Sequence, residues 1–502
     1  MKVDPGKQSR MAILEEKAER DIFRFLQEHG WTGAVLEREP DGEYLVIEAV
    51  RADVRRRFAL IYTTATKNEV YKRLEGKVEA IVAQGSLFEV EKFAYGTSTP
   101  VITAQDLATR VFDWNEAVAP GKIADSTSQA EAKARPRSYT YVTAEAPVEQ
   151  IWLLLRQLAS QTLAARLLAQ RYSRAPVVDL ADDIVRGKAA GIAFSVRNAF
   201  DYIRAEGHQP LTRRILNLYY GAMALASAEM LASPSGPHTL NDVERMTKFG
   251  HGLFTMDAGS DQLHELVVGP IATGFFAEWM KVLGQGVDFP RSKPKDAGDL
   301  AKRPADTFTT LGELFARIPE TGSIFETVLS SPPLWVSASY DSSANPRPGR
   351  ASGRSYVILS DESGRLDLDT LAKLPGPLSQ IRHVQEEGPG LHYQAMVAHP
   401  SHEFWHGALP LHSSPFTKST LVIPLFGRIQ EYRAVATCLL YALSIVVRYR
   451  PGIWREVEGG AQDHYLPLIE TFLAVAERVL PEQFAASILG APVYAKQPGA
   501  LF

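Results

Sequence analysis

The sequence predicts an α+β chain of more than one domain, in which a small N-terminal α/β domain precedes a mainly α-helical domain that carries a β insertion. The 502 residues exceed the usual size of a single domain. The first 115 residues alternate between helix and strand patterns. From Ile151 onward most segments have helical apolar stripes, and strand-like runs interrupt them between Pro332 and Phe426.

The composition is that of an ordinary globular protein. Hydrophobic residues make up 45% and charged residues 22%, and the net charge of −4 is small for this length. The chain as a whole therefore gives no electrostatic reason to expect a nucleic-acid or membrane partner, and any nucleic-acid contact must come from local basic clusters. The single cysteine, Cys438, excludes an intrachain disulfide. The N-terminus has no apolar signal region, so we expect a cytoplasmic protein without a membrane partner.

The N-terminal elements are predicted in the order α-β-β-β-α-β. Apolar residues at near-helical spacing predict a first helix over residues 13–30, and Gly30 suits its C-terminal cap. Strand-like runs flank Pro40-Asp41-Gly42, a turn signal that predicts a hairpin. The predicted strands are 33–37, 44–50, 58–63, 88–93 and 101–103, and the further predicted helices are 68–74 and 104–114.

A linker is predicted between this domain and the rest of the chain. Residues 1–118 form the predicted N-terminal domain, and residues 119–147 form the linker because they are rich in Ala, Pro, Ser, Thr, Lys and Glu. The predicted helical body occupies 148–331, the β insertion 332–430 and the closing helices 431–502. The predicted helices are 151–171, 189–205, 213–231 and 432–449, and the predicted strands are 335–340, 355–359, 392–397 and 419–425.

The N-terminal order of elements resembles the restriction-endonuclease-like fold. Its members hold a divalent metal with carboxylates and position the attacking water with a lysine, in the pattern Pro-Asp, spacer, Glu-x-Lys. Here Pro40-Asp41 precedes Glu48, but Val50 occupies the lysine position and Arg51 comes one residue late. We therefore expect a degenerate domain without nuclease chemistry. Its candidate nucleic-acid contact is Arg55-Arg56-Arg57, and the alternative is a solvated strand edge.

Three separated stretches resemble the YaaC-like proteins, a family of bacterial helical proteins. They are Asn217-Leu218-Tyr219-Tyr220, His251-Gly252-Leu253 and Arg448-Tyr449-Arg450-Pro451-Gly452-Ile453-Trp454. The resemblance covers roughly residues 150–490 and implies a helical fold without assigning an activity. We interpret the last stretch as the end of a buried helix, because Pro451 cannot continue it. Its two arginines are expected to pair with Glu456, Glu458 or Glu470.

The pair Arg245 and His251, together with the upstream helix, resembles the HEPN superfamily of helical bundles. In that superfamily an arginine and a histidine at this spacing cleave RNA without metal. The resemblance implies that His251 transfers a proton and Arg245 stabilises the charge on the phosphate. The site is then expected in a groove at a homodimer interface. The alternative is that His251 packs or caps a helix end.

A histidine-rich segment contains His402-Glu403-Phe404-Trp405-His406, which matches the zinc-protease motif. On a helix, His402 and His406 would bind zinc and Glu403 would activate water. Gly407 and Pro410 end any helix almost at once, so a histidine-rich loop is the alternative. Zinc is the one cofactor that the sequence suggests.

These patterns lead to three functional hypotheses. The first is a bacterial protein that associates with nucleic acid or another protein, as in genome defence, without strong catalysis of its own. The second is a metal-independent RNase that uses Arg245 and His251. The third is a zinc hydrolase at His402 and His406. The sequence contains no phosphate loop of the Gly-x-x-x-x-Gly-Lys-Ser/Thr kind.

Overall fold

The computed structural model is a mixed α+β protein with an N-terminal sheet and a helical C-terminal region. The structure describes residues 5–51, 54–62, 67–83, 94, 96–103, 107, 110–111, 114, 140–173, 181–204, 209–257, 259–285, 288–344, 353–374, 376–385, 390–399 and 405–496. The chain divides into two compact units, Met1–Ala134 and Arg135–Phe502.

A long helix opens the first unit. It runs through Pro5–Lys17, Ala18–Phe23 and Arg24–Glu28, and its middle turn is π-helical. The helix ends where Gly30 adopts a φ of +80°. The amide of Trp31 then donates back to the carbonyl of Leu26, which gives the C-terminal cap that the sequence predicts.

A five-stranded sheet follows, with its strands side by side in chain order. The first three pair antiparallel and the last two join in parallel. The strands are Thr32–Arg38, Tyr44–Arg51, Val54–Ile61, Ala80–Ala83 and Val101–Thr103, and the Asn68–Leu74 helix lies between the third and fourth. The prediction omitted Ala80–Ala83. The predicted strand 88–93 lies outside the described residues, and of the predicted helix 104–114 the described residues are helical.

Long helices dominate the second unit. The longer ones are Pro147–Gln157, Gln161–Ser173, Asp182–Ile203, Leu211–Ala232, Tyr432–Tyr449 and Leu466–Leu489. The shorter ones are Leu240–Thr247, Phe275–Val282, Ala297–Leu300, Leu311–Ala316, Gly322–Leu329, Leu368–Ala372, Trp405–Ala408 and Pro451–Gly459, with 3₁₀ turns at Leu263–Glu265, Ala305–Thr307, Pro319–Thr321 and Asp463–Tyr465. The sequence predicted a single helix over residues 151–171. That prediction was wrong in its continuity, because two helices separated at residues 158–160 take its place.

The predicted β insertion is a six-stranded antiparallel sheet. In spatial order its strands are Leu378–Val384, Leu391–Ala398, Arg354–Asp361, Val336–Tyr340, Thr417–Leu421 and His412–Ser414. The last predicted strand, 419–425, is shorter than expected because the sheet pairing stops at Leu421.

Two smaller sheets complete the unit. One contains Leu253–Met256, Val267–Pro270 and Thr309–Thr310. In the other, Thr140–Thr143 pairs in parallel with Val493–Lys496 near the C-terminus. The end of the predicted linker, 119–147, is therefore a strand rather than a free connection, and Pro147 already begins a helix.

One large apolar core extends through the helices of the second unit and the inner face of the six-stranded sheet. Two of its helices, Leu211–Ala232 and Tyr432–Tyr449, are long and apolar enough to cross a membrane, but most of each is buried inside the unit. Their burial is that of core helices. These two helices also carry the side chains of the candidate functional site.

Candidate functional site

The three stretches that resemble one family meet in space around His251. The Leu211–Ala232 helix supplies Tyr219 and Tyr220, and the Tyr432–Tyr449 helix supplies Tyr441 and Arg448. His251 lies in the loop between the Leu240–Thr247 helix and the following strand. Rings and charges from distant parts of the sequence therefore converge on a single histidine.

The backbone of the His251 loop is fixed by close packing against a helix start. Gly250 and Gly252 have φ values of +92° and +77°, which favour glycine. The carbonyls of Gly250 and His251 accept hydrogen bonds from the amides of Phe275 and Phe276 at 3.1 and 3.0 Å. A Cβ on Gly274 would lie only 2.6 Å from the Gly252 nitrogen. The loop thus caps the Phe275–Val282 helix, and its position is set by backbone contacts.

The His251 side chain is held by Tyr219. The Nδ1 atom of His251 lies 2.8 Å from the Tyr219 hydroxyl, and the two rings meet edge to face at 5.5 Å. The ring of Tyr441 lies 5.8 Å from the imidazole. His251 is half-buried, and among the described residues its Nε2 has no hydrogen-bond partner. Of the alternative that the sequence offered, packing or capping, the described contacts are those of packing against Tyr219 and Tyr441.

The protonation states of the cluster follow from its burial. Burial lowers the pKa of His251 below its ordinary value of 6.5, and the charge of Arg448 lowers it further. Burial raises the pKa of Tyr441 to about 12 and that of Tyr219 well above 10. At neutral pH the imidazole and both phenols are therefore uncharged, and Arg448 supplies the positive charge of the cluster.

Among the residues that the structure describes, only neutral groups hydrogen-bond to the Arg448 guanidinium. Its guanidinium donates to the Tyr220 hydroxyl at 3.0 Å and to the carbonyl and hydroxyl of Ser444 at 3.0 and 3.1 Å. It also lies over the rings of Tyr220 and Tyr449, 5.9 and 5.0 Å from their centroids. The groups that contact Arg448 are neutral, so they do not cancel its positive charge. The expected ion pair with Glu456, Glu458 or Glu470 is not found among the described ion pairs.

Exposed aromatic rings border this charge. Tyr449 is 65% exposed and Tyr202 is 40% exposed, although both rings are large and apolar. Tyr202 packs against Tyr220 at 5.7 Å. Arg450, the second arginine of the stretch, pairs with Asp257 and not with a glutamate of the following helix, as the sequence had suggested. We call Tyr202, Tyr220, Arg448 and Tyr449 the tyrosine–arginine surface.

The same helices and loop lie within the range of a family match. A sequence profile described as YaaC-like protein matches residues 156–488, well over half of the chain. The chain belongs to the YaaC-like family. All three stretches fall inside the matched range of this YaaC-like protein, and so does every residue of the tyrosine–arginine surface. No curated protein and no solved structure matches it significantly.

Arg245 is an exposed residue at the end of the Leu240–Thr247 helix. The Leu240–Thr247 helix begins with a capping box between Thr239 and Asp242, and Arg245 pairs with Asp242 one turn later. Arg245 is exposed and lines a groove of about 780 Å³ together with Phe249, whereas His251 is not among the residues that line it. The charge that influences the pKa of His251 is that of Arg448.

Each of the three arginines in the Arg55-Arg56-Arg57 run has a carboxylate partner. Arg55 and Arg57 pair across the sheet with Glu48 at 3.4 and 2.9 Å, and Arg56 pairs with Glu79 at 3.3 Å on the opposite face. The run is therefore split between two faces of the strand, as the alternation of side chains requires.

The two acids of the nuclease-like pattern lie apart. Asp41 is in the hairpin turn and pairs with Lys7. Glu48 lies four residues into the next strand, which corresponds to roughly 13 Å along the chain at the usual strand rise. The two carboxylates therefore have separate surroundings, each with a basic partner of its own.

The proposed zinc motif is only partly described. His402 and Glu403 lie outside the described residues. His406 is on the short Trp405–Ala408 helix with its ring 5.9 Å from that of Trp405, and burial lowers its pKa. Among the residues that the structure describes, no group of three or more His, Cys, Asp or Glu side chains could hold a metal ion.

Sequence reasoning did not assign a functional role to Tyr202, Tyr441 or Arg448. Tyr441 lies in a fully apolar run and looks like a core residue, and its hydroxyl donates to the carbonyl of Leu253 at 2.9 Å. The signal that could have found the site is the co-occurrence of the three family stretches. Each stretch contributes a polar aromatic or basic side chain, and together they define one cluster.

Proposed function

We propose that this YaaC-like protein binds single-stranded nucleic acid at its tyrosine–arginine surface and has no strong catalysis of its own. The observation that carries the proposal is the exposure of Tyr449 and Tyr202 beside the Arg448–Tyr220 pair, whose guanidinium has no acidic partner among the described residues. Stacked bases and a neighbouring phosphate need this combination of open ring faces and one unneutralised cation.

The surroundings favour a single strand over a duplex. Base–aromatic stacking requires bases whose faces are free, which a duplex does not offer. The fixed guanidinium of Arg448 can donate to a phosphate oxygen in a bidentate manner. The exposed ring of Tyr449 lies at the helix end, just before Pro451 starts the next helix. The low net charge of the chain means that binding depends on these local groups.

The N-terminal unit offers a second support for the same function. Its α-β-β-β-α order and mixed sheet agree with the resemblance to restriction-endonuclease-like domains, and we propose that it is a degenerate member of that group. The helical second unit is proposed to be HEPN-like. Both comparisons rest on fold analogy, and both kinds of domain act on nucleic acid, as genome-defence proteins do.

Fluorescence anisotropy with labelled oligonucleotides tests the proposal. Full-length protein should bind a mixed-sequence single-stranded RNA or DNA more tightly than the matching duplex. Tyr449→Ala should weaken binding by about 5–150-fold, since stacking on one aromatic ring contributes about 1–3 kcal/mol. The affinity should also fall as salt concentration rises, because Arg448 releases a counterion from the phosphate.

Two control variants separate stacking from folding. Tyr449→Phe keeps the ring and should bind like the wild type, because stacking uses the ring face and not the hydroxyl. Phe416→Ala removes another ring that is 54% exposed, on a turn of the insertion, and should also leave binding unchanged. Equal weakening in Phe416→Ala and Tyr449→Ala, or tighter binding to duplex, would refute the proposed surface.

The second candidate function is metal-independent RNA cleavage by His251 with Arg245. It is favoured by the free Nε2 of a half-buried imidazole whose pKa is lowered, since a neutral imidazole can accept the proton of a ribose 2′-hydroxyl. Cleavage should then resist chelators and disappear in His251→Ala. Comparing Arg245→Ala with Arg448→Ala identifies which arginine supplies the positive charge. If neither variant loses RNA cleavage, this chemistry is excluded.

A further inference from the structure

A wide cavity lies on another part of the second unit, where the β insertion adjoins the helical body. Its volume is about 1010 Å³, and the described residues that line it come from several separate parts of the chain. They are residues 284–285 and 288–290, residues 305–309, residues 365, 366, 370 and 373, and residues 423–428 and 430, together with Arg317 and Leu334. A cavity of this size can enclose a ligand as large as a nucleotide.

Cationic side chains outnumber acidic ones on the cavity wall. Arg317, Arg365, Lys373 and Arg428 line it, against two carboxylates, those of Asp288 and Asp306. Lys373 and Arg428 are exposed, and neither forms an ion pair with any residue that the structure describes. The wall therefore carries an excess of positive charge whose natural complement is an anionic ligand.

The deepest cation is only partly neutralised. Arg317 donates from NH1 to the carbonyl and carboxylate of Glu313 at 2.8 and 3.1 Å. Arg365 makes a bidentate contact with the same carboxylate at 2.9 and 3.3 Å. One carboxylate thus serves two guanidinium groups. The Nε atom of Arg317 is buried and has no hydrogen-bond partner, although buried polar groups normally have one.

Aromatic rings and a strained turn also line the cavity. Phe289, Phe308 and Phe426 line the cavity, which gives an apolar face beside the cations. Phe426 has a φ of +50°, a left-handed conformation that a bulky residue rarely adopts. The Leu425 and Ile429 amides and carbonyls bond to each other at 2.7 and 2.8 Å and hold this turn closed. Strain of this kind is retained where it presents side chains to a ligand.

We propose that this cavity is a binding site for a nucleoside phosphate. The phosphates would contact Arg428, Lys373 and Arg317, and the base would pack on the phenylalanine wall. The chain achieves this without a phosphate loop, because side-chain cations replace backbone amides. This site is independent of the nucleic-acid surface, so either proposal can fail without the other.

Isothermal titration calorimetry on the full-length protein tests the site, with ATP, adenosine and inorganic triphosphate as probes. ATP should bind with one site per chain. Arg428→Glu and Lys373→Glu should each weaken ATP binding at least about tenfold, because each replaces an attraction to phosphate by repulsion. Inorganic triphosphate should bind about tenfold or more weakly than ATP, since it cannot stack on the aromatic wall.

The matched control is Arg455→Glu. Arg455 is exposed on the Pro451–Gly459 helix and is outside the cavity, and its substitution makes the same change in charge. Its affinity for ATP should remain that of the wild type. Failure of ATP to bind at millimolar concentration, equal weakening in Arg455→Glu, or equal affinity for inorganic triphosphate would each overturn the proposal. Circular dichroism of each variant establishes that the fold is unchanged.

Discussion

Replacing His251 and Tyr219 singly and together tests whether the cluster is built as the structure shows. The His251 Nδ1 atom and the Tyr219 hydroxyl lie 2.8 Å apart, and Tyr219 is 2% exposed. His251→Ala removes the partner of a buried hydroxyl and an edge-to-face ring contact. We expect it to lower the free energy of unfolding by about 1–3 kcal/mol for the unpaired hydroxyl, with about 0.5–1.5 kcal/mol more for the ring contact.

The double variant decides which part of that loss belongs to the hydrogen bond. Tyr219→Phe alone leaves Nδ1 of a half-buried imidazole without its partner, which costs about 0.5–1.5 kcal/mol. In Tyr219→Phe/His251→Ala neither polar group remains unpaired. The sum of the losses in unfolding free energy in the two single variants should therefore exceed the loss in the double variant by about 1–2 kcal/mol.

Thermal unfolding of the full-length protein provides the assay. In a unit of this length each kcal/mol shifts the unfolding midpoint by only about 1–1.5 °C, so the midpoints must be measured to a few tenths of a degree. Strict additivity of the two substitutions would show that the hydrogen bond is absent, and the assignment of His251 to this cluster would then fail.

His251 should also make the stability of the protein depend on pH. Because the pKa of His251 is lowered in the folded protein, the unfolded chain binds a proton that the folded protein does not, in the window between the lowered pKa and 6.5. The stability of the wild type should therefore fall as pH falls through this window. His251→Ala should lose this part of the pH dependence, and an unchanged profile would contradict the burial of the imidazole.

Three further predictions concern other parts of the second unit and the zinc motif. Lys188 is fully buried, and its Nζ atom, with three N–H donors, lies 2.9–3.3 Å from four carbonyl oxygens. Lys188→Met should therefore destabilise the fold by about 2–4 kcal/mol, and a neutral result in urea unfolding would contradict this cage of carbonyls. Burial acts to raise the pKa of Glu320, but the hydrogen bond and charge of His412 lower that pKa overall. The stability that the Glu320–His412 pair contributes should therefore be lost as pH falls below 4.5. His412→Ala should cost about 3–5 kcal/mol, as measured by the same unfolding assay, and a loss below about 1 kcal/mol would refute the pair. If His402 and His406 bind zinc, elemental analysis should find one zinc per chain that disappears in His406→Ala, and a metal-free protein would exclude that site.

The fold was predictable where a single periodicity extends from cap to cap. Residues Asn68–Leu74 and Tyr432–Tyr449 form helices at the predicted bounds, because apolar stripes and end signals agree there. The break between Pro147–Gln157 and Gln161–Ser173 could not be predicted, because the apolar stripe continues across it. Only the amides of residues 158–160, which bond three residues back, reveal the change of pitch.

The short parallel strand Ala80–Ala83 shows a second limit. Its four residues are buried on both faces, so the alternation of polar and apolar residues that marks a strand is absent. A run this short has no helical period either, and its pairing with Phe58–Leu60 is decided by tertiary contacts.

The site was predictable in its parts but not in its assembly. The family stretches contain Tyr219, His251 and Arg448, yet sequence spacing associates His251 with its neighbour Arg245. Gly250, with a φ of +92°, turns the chain after the helix that carries Arg245, so that His251 packs on the tyrosines instead. The contact between His251 and Tyr441 joins residues nearly two hundred positions apart. It depends on how the Leu211–Ala232 and Tyr432–Tyr449 helices pack, and no local sequence pattern predicts that packing.

Mapping the cross-links of a bound oligonucleotide tests the central claim most directly. Single-stranded RNA is irradiated in complex with the full-length protein, and the attached peptides are identified by mass spectrometry. Binding at the tyrosine–arginine surface predicts cross-links at Tyr449 and Tyr202, and their loss at position 449 in Tyr449→Ala. Cross-links confined to the Arg55-Arg56-Arg57 strand, or none above those of a duplex control, would contradict the account.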